Sequence, residues 1–140
     1  MSFTASARQV AGGLRHEVDV NGRHVIVTDE PRALGGTDVG PAPHELMPAM
    51  IASCVSTTLA MYASRHGWEL GELQVDVTYE PASSPSSVEL AIHLPPGLTE
   101  AQAARLRRVA AACPVRRALE GEFAFREALS SDPPAAAAAA

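Results

Sequence analysis

Residues 35–67 read GGTDVGPAPHELMPAMIASCVSTTLAMYASRHG, and the organisation of the chain follows from them. The first third is Gly- and Pro-rich and reads as the end of a loop that begins at Asp29. A long helix is expected to follow. Pro43 suits a first-turn position, where its missing N–H is harmless, and Glu45 puts a carboxylate near the positive helix end. Met47, Met50, Ile51, Cys54, Thr58, Met61 and Tyr62 recur at three- and four-residue steps, which makes one apolar stripe. Gly67 is a natural stop, with Arg65 and His66 in the last turn. Pro48 is the irregular residue, because it removes a backbone donor close to the helix start.

Upstream, Leu14, His16, Val18 and Val20 alternate with Arg15, Glu17 and Asp19. Asn21-Gly22 then signals a tight hairpin, and residues 24–28 supply the returning strand. Downstream, residues 70–80 and 88–94 alternate on either side of the turn PASSPSS and form a second expected hairpin. Thr99 with Gln102 is a capping-box pair that opens a second helix running to about Ala112. Cys113-Pro114 breaks it, a short helix continues through Leu119, and a last strand is expected around residues 123–128. The order of elements is an α+β pattern and not a βαβ alternation. Residues 1–130 read as one domain and 131–140 as a low-complexity, Ala-rich tail.

Composition narrows the function. The 140 residues are 46% hydrophobic and 19% charged, ordinary for a globular chain. A net charge of -5 argues against nucleic acid as a partner, since phosphate binding needs a clustered positive surface. The N-terminus has no signal-peptide core, and no stretch reads as the roughly 20 apolar residues of a membrane span. No membrane partner and a cytoplasmic location are the expectations. Neither CxxC nor HExxH occurs, so no metal or other cofactor is expected.

The two cysteines carry the chemistry or none of it. Cys54 lies mid-helix on the apolar stripe, where a cysteine is commonly a small buried hydrophobe. A reactive cysteine needs company that stabilises its thiolate, together with access for a substrate. Cys113, at a helix break, faces the same two readings.

Several motifs together resemble one family. Gly35-Gly36-Thr37-Asp38-Val39-Gly40-Pro41-Ala42-Pro43-His44-Glu45-Leu46 resembles the GG-x-D-x-GP-x-P-x-E-L segment of OsmC/Ohr proteins. Ala52-Ser53-Cys54, with Thr57 to Ala63 after it, looks like that family's first cysteine helix, and Gly67-Trp68 like its end. Ala112-Cys113-Pro114-Val115 looks like the second cysteine motif, and Asp29-Glu30-Pro31 points to the broad OsmC-like branch. The resemblance implies antiparallel sheets wrapped around two central helices in an intertwined homodimer. It also implies thiol-dependent reduction of an organic hydroperoxide in oxidative-stress defence. Cys54 would attack the peroxide as thiolate, Cys113 would resolve the sulfenic acid as a disulfide, and a dithiol reductant (a lipoyl protein or a thioredoxin-like one) would restore both. Met50, Val55 and Met61 are the expected lining of an apolar pocket beside Cys54.

The resemblance also implies a Glu and an Arg that hold the thiolate, and here the chain departs from it. Ten positions before Cys54, where the hydroperoxidases carry the Glu, stands His44. Glu45 is one position later, a turn of about 100 degrees on a helix. His44 is either a substitute or part of a solvated first turn. The Arg is assigned to Arg32 in the loop, with Arg15 and Arg23 on the first hairpin as alternatives. A non-catalytic dimeric module that binds an apolar small ligand is the competing function. A Cys54–His44 hydrolase is the weakest, for want of an oxyanion-hole motif.

Overall fold

The computed structural model describes residues 1–10 and 12–132, so most of the Ala-rich tail, 133–140, lies outside the described residues. The chain divides into two compact units, Met1–Leu46 with the chain from Phe125 onward, and Met47–Ala124.

The first unit is a three-stranded antiparallel sheet and a pinned loop. Strands β1 (Ala5–Gln9), β2 (His16–Val20) and β3 (His24–Thr28) lie in sequence order. Asn21 and Gly22 both take positive φ (55° and 65°), the left-handed backbone that this hairpin turn demands and that Asn and Gly tolerate best. The Gly22 N–H donates to the Asp19 carboxylate at 2.7 Å, which fixes the turn further.

The loop after β3 is organised by one buried carboxylate. Asp29, 1% exposed, accepts hydrogen bonds from the backbone N–H groups of Glu30, Thr37 and Val39 and from the Thr37 hydroxyl. These bonds hold its carboxyl below the usual range, at about 2; the Thr37 hydroxyl contributes most, and burial opposes it. A short 3₁₀ turn, Arg32–Leu34, fills the loop. Gly36 and Gly40 are required by close approach, since a Cβ would overlap the carbonyl of Glu30 at the first and of Val27 at the second.

Helix α1 (Pro43–Arg65) starts in the first unit, and its body belongs to the second. It runs through Pro48 without ending. The proline forfeits one backbone hydrogen bond near the helix start, a loss the remaining length of α1 carries. By length and composition α1 is also apolar enough to cross a membrane, at a mean hydropathy of 1.4 over 18 residues. That departs from the expectation that no stretch has this character. A core helix has the same composition, and one side of α1 does carry the core.

The buried row of α1 is Ile51, Val55, Leu59 and Ala63, a strict four-residue repeat. It packs in one cluster with Leu70, Leu106, Ala110 and Cys113. The expected stripe is therefore displaced by about one residue: Cys54 and Thr58 border the core, whereas Met50 and Met61 are 41% and 52% exposed. Periodicity finds an apolar face, but α1 is apolar nearly all round, so the pattern alone does not say which side is covered.

The rest of the second unit follows the sequence closely. Strands β4 (Gln74–Glu80) and β5 (Ser87–His93) pair antiparallel from Gln74↔His93 to Glu80↔Ser87. Leu70, expected in β4, lies before the strand and fills the core instead. Helix α2 (Glu100–Ala111) carries the expected capping box, with Thr99 and Gln102 each bonding the other's backbone N–H. Helix α3 (Pro114–Leu119) has Cys113 as its N-cap and Pro114 in its first turn. The last expected strand does not form: residues 123–128 join no ladder among the described residues. Apolar character gives a strand its face, but only a neighbouring strand supplies the hydrogen bonds.

Candidate functional site

The fold brings the two cysteines together. Their sulfurs are 2.9 Å apart across 59 positions of sequence, both as free thiols. Two local features aim them. Cys54 sits next to the core row of α1, so its side chain lies at the edge of the packed face, half-buried. Cys113 is 0% exposed, turned inward where α2 ends and Pro114 begins α3. Cys54 is thus partly open to solvent, and Cys113 is not.

Their electrostatics are unequal. Burial pushes the Cys54 thiol up, and the hydrogen bond with Cys113 and the charge on it push in the same direction. The Val115 backbone N–H and the Thr58 hydroxyl oppose this without overcoming it. Burial is also the largest single influence on Cys113 and raises it. There, however, hydrogen bonds from the Cys54 thiol, the N–H groups of Arg116 and Val115 and the Thr58 hydroxyl together win, and the pKa falls. The two thiols thus shift in opposite directions, Cys54 upward and Cys113 downward. The upward direction at Cys54 differs from the lowered thiol pKa that the family resemblance implies.

Thr58 is the residue that the sequence reading left without a role. Its hydroxyl donates to the Cys54 carbonyl at 2.8 Å, the back-bond that Thr makes four residues along a helix, and lies within reach of both sulfurs. The signal was present as a polar residue one turn after a candidate cysteine, on the same stripe.

The other expected residues occupy different places. Glu45 Oε2 accepts the Ala42 N–H at 2.8 Å, so this carboxylate is engaged in capping the start of α1. His44 is exposed in the same turn, Arg32 is exposed in the 3₁₀ turn, and Arg15 and Arg23 are exposed near the ends of β2 and β3. All five belong to the first unit, whereas Cys54, Cys113, Met50 and Met61 belong to the second. Val55, expected to line a pocket, is 0% exposed and is part of the core. Among the described residues there is no group of three or more His, Cys, Asp or Glu able to hold a metal ion.

The model of the OsmC-like protein family matches residues 35–127. The chain belongs to that family. No curated protein matches it. Solved structures do. A Psychrobacter arcticus protein named for osmotic stress induction and detoxification response is 24% identical, with a TM-score of 0.70, over 84% of this chain and 88% of the other. An organic hydroperoxide resistance protein of Elizabethkingia anophelis is 26% identical, with a TM-score of 0.62, over 86% and 89%. One from Legionella pneumophila is 23% identical, with a TM-score of 0.59, over 86% and 90%. The α+β arrangement of antiparallel sheets and helices is thus that of known OsmC-like structures.

Proposed function

We propose that this OsmC-like chain reduces organic hydroperoxides with its two thiols, Cys54 as the peroxidatic and Cys113 as the resolving residue. The observation that carries the reading is the 2.9 Å sulfur pair with one member half-buried and the other at 0% exposure. A peroxide reaches Cys54, its oxidised sulfur already touches the second thiol, and prompt disulfide closure protects it from over-oxidation. The organic hydroperoxide resistance names of the Elizabethkingia and Legionella proteins agree with this. The reading includes a homodimer, in which the partner adds groups to the site, a dithiol reductant, and a cytoplasmic location where thiols are kept reduced.

The test is direct. Reduced protein mixed with cumene hydroperoxide should lose two thiols per chain and gain an intrachain disulfide, and Cys54→Ser should abolish peroxide loss. Thiols that ignore the peroxide would end the proposal.

One observation favours a second reading, a module that binds an apolar ligand. A cleft of about 440 Å³ is lined by Leu90, Ile92, Leu94, Ala103, Leu106 and Arg107. Peroxide-indifferent thiols together with apolar material extracted from the purified protein would support it.

A further inference from the structure

A second polar contact joins the two segments that carry the cysteines. Tyr62 follows Cys54 by about two turns of α1, and Arg105 precedes Cys113 by about two turns along α2. These two residues also meet. The Arg105 Nε–H donates to the Tyr62 hydroxyl oxygen at 2.7 Å, and the guanidinium carbon lies 5.6 Å from the ring centre. With the sulfurs 2.9 Å apart at the other end, the two segments run antiparallel. The buried Val55, Leu59, Leu106 and Ala110 occupy the stretch between the two contacts. The Tyr62 ring is itself held, stacked on His66 at 4.1 Å and meeting Trp68 edge-on at 5.7 Å, so its hydroxyl has a defined direction.

We propose that Tyr62 and Arg105 are positioning residues for the thiol pair: their contact fixes how α1 and α2 lie along each other, and so keeps the two sulfurs in the narrow geometry that disulfide closure requires. The inference rests on the disulfide step of the hydroperoxide reading and adds two residues that stand about 12 Å along the helices from the sulfurs. In that step two S–H bonds are lost and one S–S bond forms. Two electrons and two protons pass to the oxidant, which is a hydroperoxide or another disulfide. How readily the sulfurs join depends on their effective concentration, which falls as the helices gain freedom to slide or splay. Packing of Leu and Ala side chains is non-directional and leaves some of that freedom. The 2.7 Å hydrogen bond from the guanidinium is directional and marks one register.

Equilibration with mixtures of reduced and oxidised glutathione, read by alkylation and mass, gives the disulfide equilibrium constant without any peroxide. Tyr62→Phe keeps the ring and its stacking and removes the hydroxyl, and Arg105→Met removes the donor at similar length. Each is expected to lower the constant about fivefold, the worth of about one hydrogen bond. The double variant should fall no further than either single one, because both remove the same contact. Gly36→Ala strains the loop of the first unit instead, and should leave the constant at its wild-type value. Wild-type constants in both single variants, additive falls in the double one, or an equal fall in Gly36→Ala would each overturn the proposal while leaving the hydroperoxide reading intact. If wild type closes its disulfide with glutathione but ignores cumene hydroperoxide, that reading fails, and the same constants still judge the positioning. A wild-type chain that forms no disulfide at all overturns both.

Discussion

The Thr58 hydroxyl donates to the carbonyl of Cys54, 2.8 Å away and one helical turn back. The same hydroxyl acts in the lowering direction on both thiols, although burial outweighs it at Cys54. Thr58→Val keeps the shape and removes the donor. Alkylation of the thiol pair at neutral pH is expected to slow on the order of fivefold, the effect of about one hydrogen bond. A pH profile of the alkylation rate checks this: its midpoint should move up, and an unmoved midpoint would leave Thr58 a helix residue only.

Asp29 predicts a pH dependence with a defined sign. Its folded pKa, about 2, lies below the ordinary 3.8. The stability it contributes is therefore complete above about 3.8 and is lost as pH falls toward about 2. Thermal unfolding of wild type should show a loss across that window that Asp29→Asn lacks. At neutral pH the Asn variant should be the less stable, because an amide cannot accept all the donors that converge there.

The loop glycines should divide by surroundings. Gly36→Ala forces a Cβ into the Glu30 carbonyl, whereas a Cβ at Gly13 meets nothing within 4 Å. Gly36→Ala should lower the denaturation midpoint markedly, and Gly13→Ala should be neutral or slightly stabilising. Equal effects at the two positions would contradict the close approach.

Leu59 and Leu106 are 0% and 1% exposed in the cluster that also contains Cys113. Either Leu→Ala change should destabilise by about 2–5 kcal/mol in chemical denaturation. It should also loosen the sulfur pair, seen as faster alkylation of Cys113 well below the denaturation midpoint.

The elements that the sequence made legible are those whose cause is local. Asn21-Gly22 carries its own turn, Thr99 with Gln102 its own cap, and Pro114 its own helix start, and each stands where expected. What escaped depended on distant neighbours. The covered side of α1 is decided by Leu106 and Ala110 arriving from α2, so Met50 and Met61 were assigned to a face that is in fact exposed. Residues 123–128 join no strand ladder among the described residues, and whether a neighbouring strand stands beside them is not written in their own pattern. For the candidate site, the two cysteine motifs named a pair that the fold brings together. The amides of Val115 and Arg116 beside Cys113 follow from the helix start at Pro114, whereas the burial that acts most on both thiols depends on how α1 and α2 pack.

Pro114 gives the buried half of the site an unusual independence. Its ring sets the first dihedral of α3 before any long-range contact forms, and the next two amides are those that face the sulfur. Everything that tunes Cys113 from its own side therefore fits within four consecutive residues, 113–116. Such a cassette could be transplanted to the end of another helix and carry its two amide donors with it, whereas Cys54 acquires its surroundings only where the two helices meet.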